Sequence, residues 1–363
     1  MLSLPDFPWD GLVPYRERAA RHPDGVVDLS VGSPVDPTPQ VAVDALVAGS
    51  NSPSYPLTAG QPKLQGAMRR WWERRRNTGP LESSQVLPTV GSKEIVGLLP
   101  TLLGLGPQDT VVIPSIAYPT YAVGAAVVGA TVVAEDDPQK WPEGAALVWI
   151  NSPSNPTGAV LNGPYLREAV KRARHIGAVL ASDECYAELG WDGERVPSLL
   201  DQDVTRGQIS GLIALYSLSK QSNLAGYRAG LVAGDQALIQ SILLARKHLG
   251  LIMPAPIQAA VAAVLGDEEH VTHQRSVYSA RRAVVFEALV SAGFQIDDSE
   301  AGLYAWATRG EDCWATVGWF ADRGVLVTPG VFYGAAGARH VRVALTASDE
   351  ACADLAKRLT PAD

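Results

Sequence analysis

The sequence predicts an α/β protein with a mostly parallel central sheet covered by helices, followed by a smaller α+β unit at the C-terminus. Three observations predict it. Between Thr110 and Gly234, short apolar runs alternate with helical stretches, the pattern of a parallel sheet buried on both faces. After about Gly250 this alternation stops, and long helical runs give way to shorter strand-like pieces. The chain has 363 residues, enough for two domains.

In chain order, the first 35 residues are rich in Pro and Gly and read as an arm or a segment of the smaller domain. Residues 36–250 read as the large domain. Its clearest strands are TVVIP, TVVAE, ALVWI, AVLAS, LIALYS and AGLVAG, and GPYLREAVKRARHIG between them is helical. Residues 251–363 read as the small domain. IQAAVAAVLG and a long helix through SVYSARRAVVFEALVSAG precede the strand-like FQIDD, GLYAWATR, GVLVTPG and HVRVAL.

Net charge is −8, which disfavours nucleic acid and anionic membranes as partners. Arg69, Arg70, Arg74, Arg75 and Arg76 run against that balance. Around Trp71 and Trp72 they read as the wet face of an amphipathic helix with partly buried tryptophans. Residues 110–134 carry no charge, but prolines and glycines break them into strand, buried helix and strand rather than a membrane span. The three cysteines, Cys185, Cys313 and Cys352, form no framework, and MLSLPDFPWDGL is no signal peptide, so a cytoplasmic location is expected. Glu268, Glu269, His270 and His273 read as a solvated helix face, and no metal site is expected.

Five motifs carry chemistry. Ser217-Leu-Ser-Lys220 follows LIALYS, with Arg228 eight residues beyond the lysine. A lysine beside a cationic, desolvated site can lose its proton and meet a carbonyl cofactor. Ser217, Ser219 and Arg228 are donors suited to a phosphate. Asp183, at the end of AVLAS, points at the crevice where such sheets bind ligands, and Tyr186 follows it. Asn151-Ser-Pro-Ser-Asn155-Pro-Thr-Gly158 is a sharp turn that aims Asn155 at the same crevice. Gly91-Ser92-Lys93 opens a helix whose N-terminus suits an anion. Tyr118, after TVVIP, can stack on a flat ring. In a parallel sheet Tyr118, Asn155, Asp183 and Lys220 converge on one edge. In HVRVAL, Val341, Val343 and Leu345 share one strand face, so Arg342 points the other way.

Together these residues resemble the fold-type-I pyridoxal-5′-phosphate (PLP) aminotransferases of class I/II, over essentially the whole chain. The resemblance implies PLP as cofactor, amino acid and keto acid as substrates, and a homodimer with shared sites. It implies that Lys220 carries the cofactor as a Schiff base and shuttles a proton, that Asp183 partners the ring nitrogen, and that Tyr186 and Asn155 hold the ring oxygen. Tyr118 is implied as the stacking aromatic. Ser92, Lys93 by its backbone, Ser217, Ser219 and Arg228 are implied as the phosphate cup. Tyr55 is similar to the tyrosine that reaches the phosphate of the neighbouring subunit. Arg342 is similar to the arginine that grips the substrate α-carboxylate, assisted by the backbone of Gly32 and by Asn155.

The N-terminal run, including Phe7-Pro8-Trp9-Asp10 and Asp28-Leu-Ser-Val-Gly32-Ser-Pro, looks most like the actinobacterial N-succinyldiaminopimelate aminotransferases of lysine biosynthesis. A succinylated substrate calls for a second cation, for which Lys93, Arg16 and Arg18 are candidates. The alternatives are an aminotransferase for aspartate, aromatic or branched substrates, or a PLP β-lyase or acyl-transferring synthase on the same fold. A PLP-binding regulator is disfavoured, because about 35 residues ahead of the fold leave little room for a DNA-binding module.

Overall fold

The computed structural model describes residues 4–193 and 195–360; the first three residues of the N-terminal run and the last three of the expected small domain lie outside them. Strand β1 (Val27–Asp28) lies in the N-terminal segment. The large sheet contains β2 (Val86–Val90), β3 (Thr110–Ile113), β4 (Thr131–Ala134), β5 (Leu147–Asn151), β6 (Val179–Asp183), β7 (Leu212–Ser217) and β8 (Ala229–Gly234). The last third adds β9 (Gln295–Asp297), β10 (Tyr304–Thr308), β11 (Val325–Leu326), β12 (Thr328–Pro329) and β13 (His340–Ala344).

The seven strands of the large sheet run β2-β8-β7-β6-β5-β3-β4. Neighbours from β7 through β4 pair in parallel, and β8 runs antiparallel to both β7 and β2. The strand order turns back between β5 and β3, which opens a crevice at the C-terminal ends of those strands. Both faces are buried, as alternation along β7 shows. Leu212, Ala214 and Tyr216 enter one core, and Ile213 and Leu215 enter the other.

The charge-free run resolves as β3, helix Thr120–Val128 and β4. That helix crosses helix Ser92–Leu102 at Gly124, where a Cβ would sit 2.8 Å from the Gly97 carbonyl oxygen. The glycine lets the two backbones meet. Among the described residues no helix is long and apolar enough to cross a membrane.

The small sheet runs β12-β13-β10-β9, all antiparallel. The N-terminal segment joins it: β1 pairs in parallel with β11, and Leu12, Val27 and Leu29 share a core with Val285, Leu289, Phe320 and Val343. Helix Ala255–Val264, by contrast, packs against helices Gln40–Ala48 and Pro62–Arg76 beside the large sheet.

Helix Pro62–Arg76 corrects one expectation. Its tryptophans are fully buried rather than partly, and so is Arg76. Arg76 donates to Glu184 at 2.8 Å, Arg74 pairs with Glu268 at 2.6 Å, and Arg75 pairs with Glu188. Three of the five arginines are therefore anchored to the fold by acids, and Arg69 by the Leu81 carbonyl. His270 departs from the expected solvated face too, since its Nε2 lies 2.8 Å from the buried Ser222 hydroxyl.

Candidate active site

The sheet brings the candidate residues to one edge. Asp183 is the last residue of β6, opposite Asn151 of β5 and Leu215 of β7. Lys220 follows β7 on the short helix Leu218–Gln221, and Tyr118 lies in the loop after β3. Because β8 is antiparallel, its start reaches the same edge: Gly230 pairs with Ser217, and Ala229 with Val90.

Asn155 is placed by Asn151. The Asn151 side chain accepts from the Asn155 backbone N–H at 2.7 Å and donates to the Asp183 carbonyl at 2.8 Å. One buried amide thus ties the turn after β5 to the end of β6.

At the helix Ser92–Leu102 N-terminus the backbones crowd together. Gly91 has φ +75°, and a Cβ there would sit 2.8 Å from Arg228 Cζ. A Cβ on Gly230 would sit 2.8 Å from both Gly91 C and Ser92 N. Only glycine permits this approach, which lays the Arg228 guanidinium beside the first helical N–H groups. Arg228 donates to the Ala225 carbonyl at 2.8 Å and meets no acid among the described residues. Ser217 Oγ accepts from the Ser219 N–H at 3.2 Å, so its own proton remains to donate. The side chain of Lys93 turns outward, its ammonium 5.9 Å from the Phe7 ring centroid. Nearby Glu94 is neutralised by the buried Arg246.

Asp183 is a buried carboxylate without a cation among the described residues. Its oxygens accept from the Tyr121 hydroxyl at 2.9 Å and from the Cys185 N–H at 3.1 Å. Burial pushes its carboxyl above the usual range. Tyr121 stacks on Trp149 at 4.9 Å, which fixes the donor to Asp183. Half-buried Lys220 makes no hydrogen bond or ion pair among the described residues.

Arg342 is 3% exposed. Val341, Val343 and Leu345 enter the small core, and Arg342 projects from the opposite face toward the large sheet. It donates to Asn155 Oδ1 at 3.0 Å and to the Ser30 carbonyl at 2.7 Å, and its Nε has no partner. The other buried arginines, Arg76, Arg246 and Arg281, all face carboxylates; Arg342 faces none among the described residues. Instead it lies 4.0 Å from the ring centroid of Tyr304 and 5.1 Å from that of Tyr333. Tyr186 reaches the same corner, its hydroxyl 2.9 Å from that of Tyr304. Gly32 adjoins them, since a Cβ there would sit 2.8 Å from Tyr304 Cε1.

Sequence reasoning missed Tyr121, Tyr304 and Tyr333. Tyr121 carried a usable signal, standing three residues after Tyr118 at a helix start. Tyr304 reads only as an aromatic in a buried strand. Tyr55 is not brought into this chain's site and is 97% exposed. Of the candidate second cations, Arg16 pairs with Asp28 at 2.9 Å and Arg18 with Asp322, which leaves Lys93. No cluster able to hold a metal ion occurs among the described residues.

A cationic cup with free N–H groups, an unpaired buried carboxylate and an unpaired lysine on one edge fit a ligand with a phosphate, a basic ring nitrogen and a carbonyl. PLP has all three. Residues 24–359 match the family aminotransferase class I and II. The chain is similar to 4-dedimethylamino-4-oxo-anhydrotetracycline transaminase OxyQ of Streptomyces rimosus, 53% identical over 99% of this chain and 100% of that one. It is 33% identical to an LL-diaminopimelate aminotransferase of Dehalococcoides mccartyi, over 92% of this chain and 90% of the relative. Among solved structures it resembles a probable N-succinyldiaminopimelate aminotransferase of Thermus thermophilus, with a TM-score of 0.88 and 27% identity over 97% and 99% of the two chains. The chain belongs to the class I and II aminotransferases and has their fold-type-I architecture. It is a PLP-dependent transaminase.

Proposed function

We propose that the chain moves an amino group between an α-amino acid and 2-oxoglutarate, with Arg342 gripping the α-carboxylate of each substrate in turn. The observation that carries this is a buried guanidinium with no acid to face among the described residues. A charge held there is costly unless a carboxylate joins it, and its planar fork matches one. Gly32 adds its backbone N–H to the same end of the substrate.

Lys220 would hold the cofactor through Nζ, and its free amine is placed to move a proton at the substrate Cα. The cofactor supplies an electron sink for the charge that this proton leaves behind. Asp183 would keep the ring nitrogen protonated, and Tyr121 keeps Asp183 in place. Tyr186 and Asn155 would hold the ring oxygen, Tyr118 would cover the ring, and Ser92, the Lys93 backbone, Ser217, Ser219 and Arg228 would hold the phosphate. Asn155 also touches Arg342, so one side chain links the cofactor end to the carboxylate end. Tyr55, exposed in the single chain, completes the phosphate site of a second copy in a homodimer.

The amino donor in the narrow reading is N-succinyl-L,L-2,6-diaminopimelate, with Lys93 as the cation for its distal acid group. Similarity to the Thermus structure and to the LL-diaminopimelate enzyme supports a long diacid. The 53% identity to OxyQ favours a second reading, in which the acceptor is a bulky ring ketone. Assays of holoenzyme with succinyldiaminopimelate, LL-diaminopimelate, aspartate, aromatic and branched donors, each with 2-oxoglutarate, with a polycyclic ketone or with neither acceptor, decide among these. Turnover is expected only with the keto acid present, fastest with the succinylated donor. Ammonia release without a keto acid means a lyase. Fast turnover of aromatic or branched donors but not the diacids ends the narrow reading alone.

A further inference from the structure

We infer that Tyr304 is a positioning residue: its hydroxyl donates to Tyr186 and turns the Tyr186 proton toward the cofactor's ring oxygen, while its ring seats Arg342. The inference rests on the reading above that Tyr186 faces the cofactor.

Three contacts meet on this one side chain. Tyr304 starts β10, which pairs with β13 so that Trp306 stands opposite Arg342. Its ring lies under the guanidinium at 4.0 Å. Its hydroxyl is 2.9 Å from the Tyr186 hydroxyl, with both residues buried and their rings edge to face at 5.6 Å. Its ring edge also fills the space a side chain at residue 32 would need. Gly32 therefore serves Tyr304 as well as the substrate end of the site.

The direction of the hydrogen bond decides the chemistry. A phenol that accepts a hydrogen bond becomes a better donor, because hydrogen bonds in a chain polarise one another. If Tyr304 donates, the Tyr186 proton stays available to a negative ring oxygen and favours its charged form. If Tyr186 donates to Tyr304 instead, its proton is lost to the cofactor. The titratable and charged groups facing the pair are Arg342 on β13, Tyr333, Tyr118, Cys185 and Tyr278. Arg342 is the cation among them and favours electron density on the tyrosine oxygens. No carboxylate is hydrogen-bonded to either hydroxyl among the described residues, and Asp183 lies beyond Cys185.

The test is a spectrophotometric pH titration of the bound cofactor's visible band in reconstituted holoenzyme, with steady-state kinetics beside it. Tyr304→Phe keeps the ring under Arg342 and removes the hydroxyl. It should raise the titration midpoint by about half a pH unit, the size of one modest hydrogen bond, and leave KM for the amino acid within about twofold. Tyr304→Leu should give the same spectral shift and also raise KM severalfold, because the guanidinium loses its seat. Gly32→Ala, which pushes on the Tyr304 ring, should move the midpoint in the same direction. Tyr186→Phe serves as the reference and should shift it further. A Tyr186→Phe shift with an unmoved or lowered midpoint in Tyr304→Phe would overturn the inference and leave the role of Tyr186 standing. An unmoved midpoint in Tyr186→Phe would overturn both.

Discussion

At Arg342 the cost of burying a charge is left unmet by the protein itself. Two neutral oxygens accept from the guanidinium, and the remaining donors wait for a partner. Arg342→Gln should therefore lower kcat/KM for amino acid and keto acid alike by about 100-fold or more, the effect of removing one side of a buried charge pair. The far-UV spectrum should stay unchanged. A variant with near-parent kcat/KM would take the carboxylate grip away from this residue. Asp183 shows the complementary imbalance, and it makes a pH prediction. Burial raises its carboxyl above the value it has in the unfolded chain, near 3.8. The folded apoenzyme thus binds this proton more tightly than the unfolded chain, and stability falls as pH rises from the unfolded value through the folded one. Asp183→Asn should make the apoenzyme melt higher than the parent at neutral pH, lose that advantage below about pH 4, and bind cofactor weakly. An apo variant less stable than the parent at neutral pH would contradict the cause given for the shift. Lys93 makes a third case. Lys93→Met should raise KM for a succinylated diacid about threefold and leave KM for a monoacid donor near parent, as expected for loss of one exposed cation. Equal changes for both donors would remove it as the distal anchor. These residues differed in legibility. Lys220, Asp183 and Arg342 sit in motifs whose spacing announces them, but Tyr304 does not, because what it does follows from two partners distant in the chain.

The elements that hold these residues were readable where burial dictates composition. Five of the six apolar runs, β3 and β5 to β8, are strands because a strand covered on both faces must be apolar throughout, whereas TVVAE forms the exposed edge strand β4. Strand direction is another matter: AGLVAG has the composition of its parallel neighbours and runs against them. Strand β2 escaped notice because VLPTV contains Pro88, which a sheet tolerates at its edge, and β2 is one of the two edge strands. GVLVTPG reads as one strand but divides into β11 and β12, which serve different sheets. Close backbone approach was also invisible, and Gly230 shows why it counts. Its Cα lies so near the Gly91–Ser92 turn that a methyl group would strike Thr89, Gly91 and Ser92 together. Gly230→Ala should cost about 2 kcal/mol of stability by overpacking, with weakened cofactor binding as β8 is pushed off the helix start. Unchanged melting and cofactor affinity would contradict the overpacking argument for this turn.

Across the whole molecule, the N-terminal segment serves two sites. It completes the small core through Leu12, Val27 and Leu29, and it carries Gly32 against Tyr304, whose ring lies under Arg342. Val31, Val35, Val47, Tyr55 and Leu57, within and just after this segment, stand exposed in the single chain. A stretch of exposed apolar side chains marks an interaction surface, and a second copy that covers it would bring Tyr55 to the neighbouring phosphate cup. Sedimentation of the holoenzyme should give a mass near twice 38.5 kDa. Tyr55→Phe should weaken cofactor binding several-fold while that mass holds. A monomer that transaminates normally would remove the shared-site proposal and leave the chemistry of the single chain in place. That chemistry depends on one amine, Lys220, being joined to the cofactor. Borohydride reduction of the holoenzyme, followed by digestion and mass mapping, reads the junction directly. The account predicts one pyridoxyl-modified peptide, with the added mass on Lys220. Modification of a different lysine, or none, would contradict it.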